Sequence, residues 1–173
     1  RQLIISILLI AFTNTFCFAQ KVNAAYRLPI QKAVSPITID GVLDEKAWEL
    51  AEVATNFFMI TPMDTSYAQV QTDVRMTYDE QNLYIIVVNH HLMEGPYMVE
   101  SLRRDFSFGK NDNFLLFMDP FDDQTNGFTF GANAAGAQWD GIMFNGGSVD
   151  LSWDNKWTSK VKNYEDKWIF EAA

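Results

Sequence analysis

The sequence predicts an antiparallel β-sandwich of the immunoglobulin or jelly-roll kind, all-β apart from one short helix. Three observations carry that expectation. Apolar residues alternate with a period of two rather than 3.6, as half-buried strands require. Candidate strands recur roughly every ten to twenty residues, separated by Gly, Asn and Asp turns. The chain of 173 residues is 48% hydrophobic and 14% aromatic, enough to fill one core between two sheets.

The elements follow in order. Arg1, the apolar run Leu3 to Phe12 and the small-residue signal Cys17-Phe18-Ala19 read as a secretory signal peptide over residues 1–19. That run falls short of the roughly 20 residues a membrane-spanning helix needs. Cys17 is the only cysteine, so the exported part carries no disulfide and no thiolate. A lead-in segment, 20–31, precedes the sandwich, 32–173. Ile37 to Ile39 is a strand candidate, and Leu43 to Ala51 is the one helix candidate, with Asp44 placed to cap it and Ala47, Trp48 and Ala51 on one face. Phe57 to Thr61 is the next strand candidate.

In Thr72 to Tyr78, Val74, Met76 and Tyr78 alternate with Asp73, Arg75 and Thr77. The turn Asp79-Glu80-Gln81-Asn82 then leads into Leu83 to Val88, an almost wholly apolar run that fits a central strand covered on both faces. The two segments form a hairpin. Phe114 to Met118, Gly127 to Ala132, Trp157 to Val161 and Trp168 to Ala172 complete the strand candidates.

The net charge of −9, or −10 once the signal and its Arg1 are removed, disfavours nucleic acid and anionic membrane surfaces as partners. Nothing singles out catalysis. His90 and His91 are adjacent, so on a strand they point to opposite faces and cannot grip one zinc ion. Asn145-Gly146-Gly147-Ser148 reads as a turn without the helix a phosphate loop needs. Asp119, Asp122 and Asp123, near Asn126, offer the oxygen donors that Ca2+ takes, although a solvated turn has the same composition.

Several segments together resemble the carbohydrate-binding module family 9-like domains: ITIDGVLDEKAW (37–48), TDVRMTYDEQNLYIIV (72–87), RRDFSFGKNDNFLLFMDPFDD (103–123), GFTFGANAAGAQWD (127–140), SWDNKW (152–157) and KWIFEAA (167–173). The version they are most similar to stands at the N-terminus of large bacterial outer-membrane proteins, ahead of a membrane β-barrel. The resemblance implies a non-catalytic module of an exported protein, in the periplasm, outer membrane or cell surface of a bacterium. Its ligand would be a poly- or oligosaccharide, within a glycoside-hydrolysing, carbohydrate catabolic system. It also implies that Trp168 to Glu171 runs on into a Pro-containing turn and more strands, so that the sandwich is incomplete at Ala173. Relatives carry calcium. The alternative is a structural domain that docks on the barrel and holds no sugar.

Sugar rings present C–H patches edged by hydroxyls, so a site needs exposed aromatic faces beside amides and charged groups. Arg103 to Asn113 supplies both, through Phe106, Phe108, Arg103, Arg104, Asp105 and Asn111. Family members clasp the sugar between two tryptophans, one of them in the loop before the strand matching Phe114 to Met118. Phe106 and Phe108 occupy that loop here. Trp48, next to apolar neighbours, reads as a core anchor. Trp139 and Trp153 lie among Asp140, Gly141, Asp154 and Asn155 and fit either a packed or a ligand-facing role. Trp157, with alternation continuing to Val161, reads as core.

Overall fold

The computed structural model describes residues 26–63, 66–91 and 95–173. The signal-peptide expectation, with Cys17, and the start of the lead-in lie outside these residues. In chain order the elements are β1 (Gln31–Lys32), α1 (Lys46–Leu50), β2 (Thr72–Tyr78), β3 (Leu83–His90), β4 (Asn113–Met118), β5 (Gly127–Asn133), β6 (Gln138–Phe144), β7 (Ser148–Asp150), β8 (Ser159–Asn163) and β9 (Lys167–Ala172). They form two facing sheets, β1-β2-β3-β9-β8 and β4-β5-β6-β7. The architecture is the expected β-sandwich.

The β2–β3 hairpin forms in the register its pattern requires, with Tyr78 opposite Leu83. Asp79 closes the turn by accepting the backbone N–H groups of Gln81 and Asn82, both at 2.8 Å. β3 lies between β2 and β9, and Tyr84 to Val88 are all buried. Its two faces meet different layers. Ile85 and Val87 join Val74, Trp168 and Phe170 against Ala132, Phe114 and Leu116 of the second sheet. Tyr84, Ile86 and Val88, with Ile169, are covered instead by Trp48, Ile37, Ile39 and Ala51 of the N-terminal segment. Burial on both sides explains why this strand lacks alternation.

Four expected elements take another form, and β1, β6 and β7 are strands that were not expected. The helix starts at Lys46, not Leu43, and Asp44 does not cap it: Glu45 holds the cap position without a side-chain bond. Ile37 to Ile39 packs as extended chain without a strand partner. Phe57 to Thr61 is likewise no strand. It is one arm of an excursion closed by the Phe58–Tyr67 bridge, and Phe57, Phe58 and Ile60 stay exposed. The strand expected from Trp157 begins at Ser159, because Trp157 turns inward onto Phe130 and Phe170.

Candidate functional site

Directly opposed residues of an antiparallel pair share a face. Leu115 faces Gly131, and Gly131 faces Trp139, whereas their neighbours Phe114 and Ala132 belong to the core. Leu115, Phe117 and Trp139 therefore line the outer face of the second sheet. Gly131 is the floor beneath them. A Cβ there would stand 2.2 Å from the Phe114 carbonyl oxygen and 2.6 Å from Leu115 Cδ2, so only glycine lets the flanking side chains close over β5.

The 101–112 loop folds across this face, and buried amides tie it down. Asn111 Oδ1 accepts from the N–H groups of Glu100 (2.9 Å) and Ser101 (3.2 Å), while its Nδ2 donates to the Ser107 carbonyl at 2.9 Å. Asn133 Nδ2 donates to the Ser101 carbonyl at 2.7 Å. Asn111 is thus buried and bonded within the loop, which corrects its expected role as a ligand-facing amide.

Two further expected residues anchor the other end of the loop. Arg104 extends its guanidinium to three acceptors: Gln138 Oε1 (2.8 Å), Asp154 Oδ1 (2.8 Å) and the fully buried Asp140 carboxylate. Asp140 Oδ2 in turn accepts the Asn155 N–H at 2.8 Å, so one buried acid joins the 101–112 loop to the 151–158 segment. Asp105 donates its N–H to the Gln138 carbonyl at 3.0 Å, with a left-handed backbone (φ 56°). Burial pushes its carboxyl above the usual range, against the opposing effects of the Asp140 N–H and the Arg104 charge.

What the loop leaves uncovered is aromatic. Phe108 is 61% exposed and Phe117 is 50% exposed, and both rest on Trp139, with centroids 6.5 Å and 6.2 Å away. Trp139 and Phe106 are sealed, at 3% and 4%. This corrects the expectation that those two rings present free faces: Trp139 is the base on which Phe108 and Phe117 rest, and Phe106 is packed inside. Exposed Arg103 and the Lys110–Glu100 pair (3.1 Å) supply charged groups from the same loop.

Trp153 lies elsewhere. It stacks on Phe128 (5.4 Å, 35°) and meets Phe130 edge-on (6.2 Å), both on the core-facing side of β5. Phe108 and Trp153 are therefore on opposite sides of the second sheet and cannot clasp one ring. Phe117, absent from the expected set, packs on Trp139 as Phe108 does. Its outward position in the alternation of Asn113–Met118 was the available signal.

The acidic loop is a capped turn. Asp119 accepts the N–H groups of Phe121 (3.0 Å) and Gln124 (2.7 Å), and Asp123 accepts those of Thr125 and Asn126, both at 2.8 Å. The Asn126 amide and these N–H groups hold Asp123 far below the usual carboxylate range. Among the described residues no group of three His, Cys, Asp or Glu side chains is placed to hold a metal ion, and Asp119 and Asp123, expected as calcium ligands with Asp122, bond the backbone of their own turn.

No protein-family model matches the chain, and no curated protein matches it. Two solved structures do: a carbohydrate-binding module family 9 from Caldicellulosiruptor kristjanssonii in complex with glucose, and one in complex with cellotriose. Each is 15% identical over 83% of this chain, with a TM-score of 0.55. The chain spans 66% and 65% of the length of those solved chains. At that identity the likeness is one of fold, and the fold is that of the family 9 modules.

Proposed function

We propose that the chain is a non-catalytic carbohydrate-binding module of family 9 type, exported to the bacterial cell surface, outer membrane or periplasm. There it holds a poly- or oligosaccharide for a glycoside-hydrolysing system. The observation that carries this reading is two exposed rings, Phe108 and Phe117, each packed against the buried Trp139. Exposed aromatic area held in fixed geometry is what a sugar's C–H face requires, and it loses little entropy on binding. The fold shared with modules solved with glucose and cellotriose supports the same reading.

Calorimetric titration with cellotriose, together with pull-down on insoluble glucans, tests it. The parent chain binds, and Phe108→Ala weakens binding about tenfold, the loss of one stacking contact. Absence of binding to every glycan tried would refute the reading.

A second reading, docking on the β-barrel of a larger outer-membrane protein, is favoured by a different surface. Phe57, Phe58, Ile60, Met63 and Tyr67 leave an exposed apolar ridge on the 56–68 excursion, and a ridge of this kind commonly marks an interaction face. Photo-cross-linking from position 60 in the full-length protein tests it. Adducts with barrel strands support docking, and a saccharide-binding domain without such adducts rules it out.

A further inference from the structure

We infer that the module carries a second saccharide platform, on the opposite side of the second sheet from Phe108, formed by Phe121 and Trp153 on the shared base of Phe128. The inference rests on the saccharide-binding reading and adds a surface and a charge preference to it.

Phe121 is 63% exposed, and its centroid lies 6.2 Å from that of Phe128. Phe128 in turn lies 5.4 Å from the half-buried Trp153, so three rings form one strip. The strip is held rigidly at both ends. The 119–126 turn is fixed by the Asp119 and Asp123 bonds, with left-handed backbone at Asp122 (φ 55°) and Gln124 (φ 60°). Trp153 lies between Asp150, which caps the Ser152 N–H at 2.9 Å, and Asp154, which Arg104 grips at 2.8 Å. A large apolar ring kept in water on a fixed turn contributes nothing to the core. Its cost is offset when it meets a ligand's apolar face.

Asp154 and Asn155, exposed and following Trp153 in the chain, supply hydrogen-bonding groups in the same segment. The surrounding charge sets the ligand class. Asp119, Asp122 and Asp123 flank Phe121 in the chain, and Asp150 and Asp154 flank Trp153, an acidic setting in which a neutral saccharide is accepted and a polyuronate repelled.

Calorimetry and tryptophan fluorescence with cellotriose, amorphous cellulose and trigalacturonate test this on the parent chain and on Phe108→Ala, Phe121→Ala, Trp153→Phe and the Phe108→Ala/Phe121→Ala double variant. Phe121 is a solvent-facing loop residue, so its variant keeps the parent melting temperature. The expected result is residual cellotriose binding in Phe108→Ala that quenches Trp153, an additional loss of about tenfold in the double variant, and no trigalacturonate binding. If Phe108→Ala abolishes all binding while Phe121→Ala and Trp153→Phe bind as the parent does, the second platform is overturned and the first reading stands. Equal binding of trigalacturonate overturns the charge preference. A parent chain that binds neither neutral probe removes both.

Discussion

Glu171 accepts the indole N–H of Trp48 at 3.1 Å, a buried hydrogen bond between residues 123 positions apart. The other carboxylate oxygen accepts the backbone N–H groups of Asp40 (2.9 Å) and Gly41 (2.8 Å). One acid on β9 thus fastens the N-terminal turn and the Trp48 anchor onto the outer face of the first sheet. Gly41 completes the fit, since φ is +78° and a Cβ would come within 3.1 Å of Lys162 Cβ.

Replacing Glu171 tests that fastening. Glu171→Gln turns an amide donor toward backbone donors and is expected to cost about 1–3 kcal/mol, read from urea unfolding. Trp48→Phe in the same background gives a double-mutant cycle. The account expects the two changes to be non-additive by at least about 0.5 kcal/mol.

Glu171 also imposes a pH dependence. Burial raises its pKa, and the three donors oppose that shift without cancelling it. The raised folded-state value means that its contribution to stability is complete below the unfolded-state value and falls as pH rises through the folded-state value. The stability gap between parent and Glu171→Gln should therefore narrow as pH rises from 4 toward 7. Asp79, Asp123 and Asp150 have the opposite sign: turn hydrogen bonds lower their pKa values, so their contributions are lost as pH falls below the ordinary carboxylate range.

Arg104 and Asp140 form the second internal tie. Removing Arg104 leaves the Asp140 carboxylate buried with only the Asn155 N–H among the bonds described above, and a loss of about 3–5 kcal/mol is expected for Arg104→Met. Lysine does not restore the three-acceptor fork. Asp154→Ala, which removes only the exposed partner, should cost less than about 1 kcal/mol. Chemical denaturation of the three variants checks the ranking.

Phe106 and Phe108 stand two positions apart and should respond in opposite ways. Phe106→Ala empties a buried site and is expected to destabilise by about 3–5 kcal/mol. Phe108→Ala should leave the unfolding midpoint nearly unchanged and weaken saccharide binding. Melting curves and binding isotherms on the same preparations separate the two effects.

The sandwich and the β2–β3 hairpin were legible because their signals are local: alternation in Thr72–Tyr78, an unbroken apolar run in β3, and a turn closed by Asp79. Trp48 was legible as a core anchor for the same reason. β6 was not. Its Asp140 and Gly141 imitate a turn, and Arg104 from a distant loop, with the Asn155 N–H, makes a buried carboxylate tolerable within a strand. In the candidate site, the sequence showed the aromatic residues of the 101–112 loop but could not say which were covered. Whether Phe106 or Phe108 faces water depends on how Asn111 and Asn133 draw that loop across the sheet. That Trp153 lies on the other side of the sheet from Phe108 was not legible, because nearness in composition does not reveal which side of a sheet a segment crosses.

The most direct test of the central claim is a map of backbone amide shifts during titration with cellotriose. The account expects the largest changes at residues 103–113, Phe117, Gly131 and Trp139, around the Phe108–Phe117 rings, and their loss in Phe108→Ala. Saturable binding whose shifts leave that face untouched would contradict it.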